Sequence, residues 1–266
     1  MYQGLYEKIS KATGILTVFL GEEKISQGSC FCFLPIGAVL TAAHVVTGRM
    51  PIKHEDVIDP NVKYFIKFPN IPVLEYRVDF CAVTIQVEGL LNPIQIDLAM
   101  LLPKQNYNVR YPVIEAYSTP PLLGEEVFMA GYSDELEVPF LVDKIIDRQY
   151  EGVADFLNEM ERGYLADMTG PLIKRAVVGN SRKVLAENTN SKIELKCDIF
   201  YLDNAVHSGA SGGPIVNHSG NVVGIITQRA MTDASQNDIP SLRVPSGSAV
   251  GISLEVLSMI DRLRSS

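Results

Sequence analysis

The sequence predicts an all-β fold with helical additions, arranged as barrels or as a sandwich. Short runs rich in Val, Ile, Phe and Tyr recur along the 266 residues, and each is bounded by Gly, Pro, Asn or Asp. These runs do not alternate with helical segments, which argues against a parallel sheet of strand–helix–strand units. A chain of this length can bury one large β core or two smaller ones.

Ten strand-like runs follow one another along the chain. Six lie in the first half, at residues 14–20, 28–35, 38–43, 63–68, 75–87 and 97–102. Four follow after residue 124, at residues 125–132, 192–202, 214–217 and 221–227. Between the two groups, residues 107–126 are irregular and carry prolines at positions 112, 120 and 121. We interpret this stretch as the connection between two halves of the fold.

Two segments have helical rather than strand-like periodicity. Within residues 143–170, helical spacing relates Val153, Phe156, Leu157, Met160 and Tyr164. From residue 253 to the end, one apolar face is formed by Leu254, Leu257, Ile260 and Leu263, with Ser253 as N-cap. We expect an inserted helix and a C-terminal helix. The insertion is interpreted either as a packed surface helix or as a lid or partner-docking element.

Composition excludes several classes of function. The net charge of −8 and the lack of a basic stripe argue against nucleic-acid binding. No apolar run approaches the roughly 18 residues of a membrane span. The first residues, "MYQGLYEKISKATG", lack the basic end and apolar core of a secretion signal.

The four cysteines are predicted to be reduced and buried. Cys30 and Cys32 stand two apart in a strand-like run and point to the same side of it. The other two cysteines, Cys81 and Cys197, are distant in the sequence. This spacing suits neither a disulfide between the two nor a four-ligand zinc site. Reduced thiols favour a cytoplasmic location.

Three separated segments carry the groups of a nucleophilic serine site. A serine hydroxyl needs an imidazole to take its proton, and the imidazole needs a carboxylate to orient it. The oxyanion needs backbone N–H groups, which a glycine-rich turn presents without obstruction. "TAAH", "DLAML" and "GASGGP" supply these groups as His44, Asp97 and Ser211. Asp79 is the one rival carboxylate, and it is more simply a charge at a strand end.

These segments resemble the signature segments of the chymotrypsin-like (trypsin-fold) serine peptidases. "TAAHVV", "IDLAMLL" and "GASGGPIV" match them in the family's chain order. The segments "QGSCFCF", "LLGEEVFMAGY", "YLDNAVHSGASGGP" and "SAVGISLEVL" are most similar to the bacterial HtrA and trypsin-like peptidase branch. The resemblance runs from about Gly14 to Ile260.

The resemblance implies a single peptidase domain over residues 1–266, made of two six-stranded antiparallel β-barrels of the chymotrypsin type. The N-terminal barrel is expected at residues 13–116. The C-terminal barrel is expected at 117–252, with the helical insertion at 143–170, and the C-terminal helix at 253–266. This leaves no room for the PDZ domain that HtrA proteins usually carry.

Carried over residue by residue, the resemblance implies a serine endopeptidase that works through an acyl-enzyme. Ser211 would be the nucleophile, His44 the general base and then acid, and Asp97 the orienting carboxylate. The backbone N–H groups of Gly209 and Ser211 would form the oxyanion hole. All of these groups belong to the protein, so no metal or organic cofactor is implied.

Substrate binding is also implied by the resemblance. The segment "IITQ", from Ile225 to Gln228 and thus including Thr227, would pair with the backbone of a polypeptide substrate as an added strand. Ala205 would lie at the floor of the primary pocket, which disfavours selection of Lys or Arg and favours a small or apolar residue. Arg229 could instead select an acidic side chain.

Two departures from the secreted trypsins bear on activation. Ala210 replaces the Asp that pairs with a new N-terminus after zymogen cleavage, and Val45 replaces the half-cystine after the histidine. Both fit a peptidase made in a reducing compartment. Two alternatives remain open: a peptidase activated by a regulatory protein partner, and a catalytically idle peptidase fold used as a binding module.

Overall fold

The computed structural model describes residues 2–53, 55–133, 147, 149–188, 193–236, 239–258 and 260. Its strands form two sheets of six strands, and each sheet closes into an antiparallel barrel. The predicted all-β fold with two barrels and helical additions is confirmed.

The first barrel contains six strands in the order β1-β2-β3-β6-β5-β4. Their bounds are β1 Thr13–Leu20, β2 Glu23–Cys32, β3 Val39–Thr41, β4 Val62–Lys67, β5 Leu74–Ile85 and β6 Ile94–Pro103. Helix α1 (Gln3–Ala12) leads into β1, and two short helices, α2 (Ala43–Thr47) and α3 (Glu55–Ile58), lie between β3 and β4. All of β1 but its last residue is buried, because its outer face is covered as well as its inner face.

The second barrel contains six strands in the cyclic order β7-β10-β11-β12-β9-β8. Their bounds are β7 Glu126–Gly131, β8 Leu172–Asn188, β9 Ile193–Leu202, β10 Pro214–Asn217, β11 Val222–Gln236 and β12 Ile239–Ser253. Strand β8 was not among the predicted strand-like runs, and β11 and β12 continue past the barrel as a long ribbon. Charged residues are frequent in β8, so it lacks the apolar alternation by which a strand is recognised.

The segment between the barrels runs along both of them. The Ile114 N–H donates to the Cys32 carbonyl of the first barrel, at 3.0 Å. The Tyr117 N–H donates to the Val222 carbonyl of the second barrel, at 2.8 Å. The predicted connection is therefore hydrogen-bonded to both halves rather than extended through solvent.

Helix α1 bridges the barrels; from the sequence, its residues were notable only for lacking the features of a secretion signal. Tyr2 and Tyr6 both make edge contacts with the Phe128 ring of the second barrel. His218 Nε2 lies 2.8 Å from the Glu126 carboxylate, and the His218 ring lies against Tyr2 and Phe128. These contacts place His218, whose side chain is 46% exposed, at the solvent-exposed edge of the contact between α1 and the second barrel.

The insertion of the second barrel packs on the outside of the first. It forms helix α4 (Val153–Glu159), a kinked turn (Met160–Tyr164) in which Gly163 has a φ of +131°, and helix α5 (Leu165–Thr169). Lys67 of β4 is 1% exposed, and its ammonium donates to the Asp167 carboxylate at 2.7 Å. The same ammonium lies 5.3 Å from the centre of the Tyr164 ring. This part of the insertion thus has the contacts of a packed helix; residues 143–146 and 148 lie outside the described residues.

The chain is helical at residues 255–258 and 260, within the predicted C-terminal helix. Residues 259 and 261–266 lie outside the described residues. Among the described helices, none combines the length and apolarity needed to cross a membrane.

All four cysteines are free thiols, and Cys30, Cys32 and Cys197 are buried. Burial raises the pKa of Cys32 to about 12 and that of Cys197 to about 11, and it raises the pKa of Cys30 as well. These thiols are therefore protonated at neutral pH and poor nucleophiles.

Candidate active site

His44 lies in the first turn of the short helix α2. Strand β3 ends at Thr41, Ala42 is extended, and the helix then runs to Thr47, where Gly48 ends it in a left-handed conformation. Val45 and Val46 are buried in the core, which leaves His44 on the opposite side of the helix with its side chain 29% exposed.

Asp97 meets His44 because of the register between β3 and β6. Thr41 pairs with Ala99 in this antiparallel ladder, so the continuation of β3 passes beside Asp97. His44 Nδ1 lies 2.8 Å from Asp97 Oδ2, and the His44 backbone N–H donates to Asp97 Oδ1 at 2.9 Å. An ionised carboxylate can only accept, so Nδ1 carries the proton and Nε2 is left as the acceptor.

The thiol of Cys81, which lies near Asp97, is protonated at neutral pH and adds no negative charge there. Burial, together with the charge of Asp97, raises the pKa of Cys81 to about 12, and this thiol donates to the Ala43 carbonyl. Asp79, the rival carboxylate, lies in β5 at an irregular pairing beside Leu101. The carboxylate that contacts His44 is that of Asp97.

Ser211 follows a tight turn over residues 207–210. The Ala210 N–H donates to the His207 carbonyl at 3.3 Å, and Gly209 has a φ of +86°. These features define a type II turn, whose third residue needs a positive φ and is therefore usually glycine. Within the described part of the chain, the backbone N–H groups of Gly209 and Ser211 donate no hydrogen bond, so both are available to an oxyanion.

The Ser211 hydroxyl donates to the backbone carbonyl of Thr227, at 3.1 Å. Ile225 is the last residue of β11 that pairs with β10, and Thr227 lies two residues further on, so the hydroxyl lies within the predicted substrate-pairing segment, Ile225 to Gln228. To reach an imidazole acceptor, the hydroxyl must rotate about the Cα–Cβ bond of Ser211. Such rearrangement between resting and reacting geometry is common in enzymes without bound substrate.

Gly212 allows the segment around Ser211 (residues 207–213, the serine segment) to pack closely against the end of β3, which precedes His44. Its φ is +85°, and a Cβ at this position would overlap the Ser29 carbonyl and the Thr41 hydroxyl and lie 2.8 Å from Ala42 N. Glycine is thus required twice here, for its conformation and for the close approach. This contact places Ser211 of the second barrel on the side of the first barrel that carries His44.

The other predicted substrate residues lie on the second barrel. Gln228 and Arg229 continue β11 and pair with Val250 and Ala249 of β12. Thr227 is 6% exposed and donates its hydroxyl to the Val250 carbonyl.

Ala205 is half-buried, and its carbonyl accepts a hydrogen bond from the Lys174 ammonium of β8. Lys174 also helps to line a depression behind the turn that contains His207 and Ala210. Sequence reasoning missed Lys174 because β8 itself was missed. The predicted floor of the primary pocket therefore has a cation next to it.

In the residues that the structure describes, no cluster of three or more His, Cys, Asp or Glu side chains could hold a metal ion.

The family model of the trypsin-like peptidase domain matches residues 28–225. A search of curated protein sequences gave no significant match. Among solved structures, the Rv3671c protease from M. tuberculosis in its active form superposes with a TM-score of 0.54 at 14% identity, over 97% of this chain and 82% of that chain.

Two further structures of Rv3671c are similar. A serine-to-alanine mutant from M. tuberculosis H37Rv, in an inactive form, gives a TM-score of 0.53 at 14% identity over 98% of this chain and 91% of that one. The protease in its inactive form gives 0.52 at 14% identity over 97% and 92%. At this level of identity the superpositions show a shared fold.

Proposed function

The chain belongs to the trypsin-like peptidase domain family, and from this membership we propose that it hydrolyses peptide bonds with Ser211, His44 and Asp97 as its catalytic groups. The resemblance to trypsin-fold serine peptidases is confirmed at the level of the family, and the chain is a serine peptidase. The observation that carries the proposed residues is the double contact of Asp97 with His44, at 2.8 and 2.9 Å.

Asp97 fixes the tautomer in which His44 Nε2 can accept a proton. Nε2 takes the proton of the Ser211 hydroxyl as Oγ forms a bond to the substrate's carbonyl carbon. The carbonyl oxygen becomes an oxyanion, which the N–H groups of Gly209 and Ser211 stabilise. His44 then gives the proton to the leaving amine, which departs and leaves an acyl group on Oγ. A water that His44 deprotonates attacks this ester and releases the acid and the free serine.

We also propose that the site disfavours Lys and Arg before the scissile bond. The Lys174 ammonium donates to the carbonyl of Ala205, the expected pocket floor, so a second cation entering there meets like charge. Cleavage of a peptide library should show little Lys or Arg at this position, and a small or apolar preference. An acidic preference would favour the alternative role of Arg229.

The control for this prediction is Lys174→Met, which keeps the length of the side chain and removes its charge. It should raise cleavage after Lys or Arg relative to cleavage after apolar residues. A strict Lys or Arg preference in the wild type would contradict the prediction.

Labelling by a fluorophosphonate tests the proposed nucleophile. The wild type should be labelled and hydrolyse a peptide ester, whereas Ser211→Ala should lose both, with a fall in kcat of about 10⁴-fold or more. Ser219→Ala, an exposed turn serine in the same region, is the matched control and should behave as the wild type. Label that persists in Ser211→Ala would refute the assignment.

Two alternatives make different predictions in the same assay. An idle binding module is never labelled, even at high probe concentration. A partner-activated peptidase is labelled only after its regulator is added; the Ser211 hydroxyl bonded to Thr227 is the feature that such a regulator would change. A cytoplasmic location is part of the proposal and is supported by the four free thiols.

A further inference from the structure

Ser29 is a buried polar residue of the first barrel that touches the serine segment of the second barrel. It lies in β2 and is 0% exposed. Its hydroxyl lies 2.8 Å from the Gly209 carbonyl and 2.8 Å from the Tyr132 backbone nitrogen. Its backbone N–H donates to the Ser211 carbonyl at 2.8 Å, and its carbonyl accepts from the Thr41 hydroxyl at 2.7 Å.

The direction of the hydroxyl bonds is determined by their partners. A backbone N–H can only donate, so Tyr132 donates to Ser29 Oγ. A carbonyl can only accept, so the single hydroxyl hydrogen of Ser29 points to Gly209 O. Neither bond can be reversed, and each polarises the other.

The Tyr132 end of this chain is held by packing. The Tyr132 side chain is 3% exposed and clusters with Ile15 of β1 and Ala166 of the inserted helix α5. The donor to Ser29 is therefore anchored at a junction of both barrels and the insertion. The hydroxyl of Ser29 is placed by an ordered partner rather than by solvent.

The Gly209 carbonyl belongs to the Gly209–Ala210 peptide unit, whose orientation determines the geometry of the turn over residues 207–210. A peptide unit is planar, so holding Gly209 O and the Ala210 N–H fixes its orientation. Ser29 holds the carbonyl and the His207 carbonyl accepts from the Ala210 N–H. The positive φ of Gly209 then directs its own N–H, and the Ser211 N–H follows in the next unit.

We propose that Ser29 is a positioning residue for the oxyanion hole. It acts through Gly209 and Ser211, whose carbonyls it binds, and does not touch the substrate. The inference rests on the proposed function of Ser211, because an oxyanion hole has a role only in acyl transfer. Its effect belongs to the transition state, in which the carbonyl oxygen has become charged.

Ser29→Ala tests the proposal, with Ser253→Ala as the matched control. Ser253 is likewise 0% exposed, and its hydroxyl accepts a backbone N–H, that of Asp198, at 3.0 Å. Ser29→Ala should lower kcat about 10- to 100-fold, less than the loss of a whole oxyanion donor, with KM nearly unchanged. The inhibition constant of a peptide aldehyde, whose adduct carries the oxyanion, should rise by the same factor.

Ser253→Ala should leave kcat and aldehyde affinity unchanged, and Ser29→Thr, which keeps the hydroxyl, should recover most of kcat. If Ser29→Ala changes kcat no more than Ser253→Ala does, the proposal is wrong. A rise in KM at constant kcat would also overturn it.

Amide hydrogen exchange separates this inference from the proposed function. Ser29→Ala should speed exchange at Ala210, whose N–H closes the turn, and Ser253→Ala should not. A wild type that neither reacts with the fluorophosphonate nor hydrolyses an ester refutes the proposed function alone, and the exchange result then decides the role of Ser29. Unchanged exchange at Ala210 in Ser29→Ala would refute the positioning role.

Discussion

Asp97→Asn is expected to lower kcat/KM about 10⁴-fold at neutral pH while the chain stays folded. The reason lies in the two hydrogen bonds of this carboxylate. The His44 backbone N–H needs an acceptor, so the amide oxygen of an asparagine takes that place. The amide NH₂ then faces His44 Nδ1, which must act as acceptor, and the proton moves to Nε2. In that tautomer His44 cannot accept the proton of Ser211.

The measurement is kcat/KM for a peptide ester, with circular dichroism and the thermal midpoint as controls of folding. Asp79→Asn is the matched variant, because Asp79 is the other carboxylate considered from the sequence. It should retain wild-type activity. A large loss in Asp79→Asn together with an active Asp97→Asn would reverse the assignment of the orienting carboxylate.

Gly212→Ala should both destabilise the protein and inactivate it. Its methyl group would overlap the Ser29 carbonyl and the Thr41 hydroxyl, and its φ of +85° is unfavourable for alanine. We expect a loss of about 2–6 kcal/mol in the free energy of unfolding from strain and overpacking. Displacement of Ser211 by even 1 Å should cost about 100-fold or more in kcat.

Gly124→Ala separates the two causes. Gly124 has a φ of +82°, but a Cβ there would meet no atom within 4 Å. Its substitution should cost only the backbone strain, about 1–2 kcal/mol, and leave kcat unchanged. Urea denaturation and ester hydrolysis measure both quantities. If the two variants lose equal stability, the close approach at Gly212 contributes nothing.

The groups of the candidate site could be predicted from the sequence because three short segments resemble the signature segments of one family in its chain order; for His44 and Ser211 the local sequence also has a structural reason. "TAAHVV" combines a strand end with a one-turn helix whose buried valines leave the histidine outside. "GASGGP" contains the glycines that a type II turn and a close approach both require. Such requirements act within a few residues, so they remain visible without the rest of the fold.

The elements that the sequence analysis missed depend on distant partners. Strand β8 has many charged residues and becomes a strand through its pairing with β7 and β9. The ribbon of β11 and β12 extends beyond the predicted run for the same reason. Helix α1 is held in place by its aromatic residues Tyr2 and Tyr6, which pack on Phe128 of the second barrel. The residues that stabilise β8, the β11–β12 ribbon and α1 are therefore far from them in the sequence.

The sequence by itself determined an all-β chain with a serine, a histidine and a carboxylate in the order of one peptidase family. Only the tertiary structure decided that Asp97 bonds both the ring and the backbone of His44, and that Ser29 holds the turn before Ser211. Hydrogen bonds are short and directional, so such contacts exist only once two barrels have been placed against each other to within a fraction of an ångström. A local motif can name candidate groups, but their positions are set by contacts between motifs that lie far apart in the sequence.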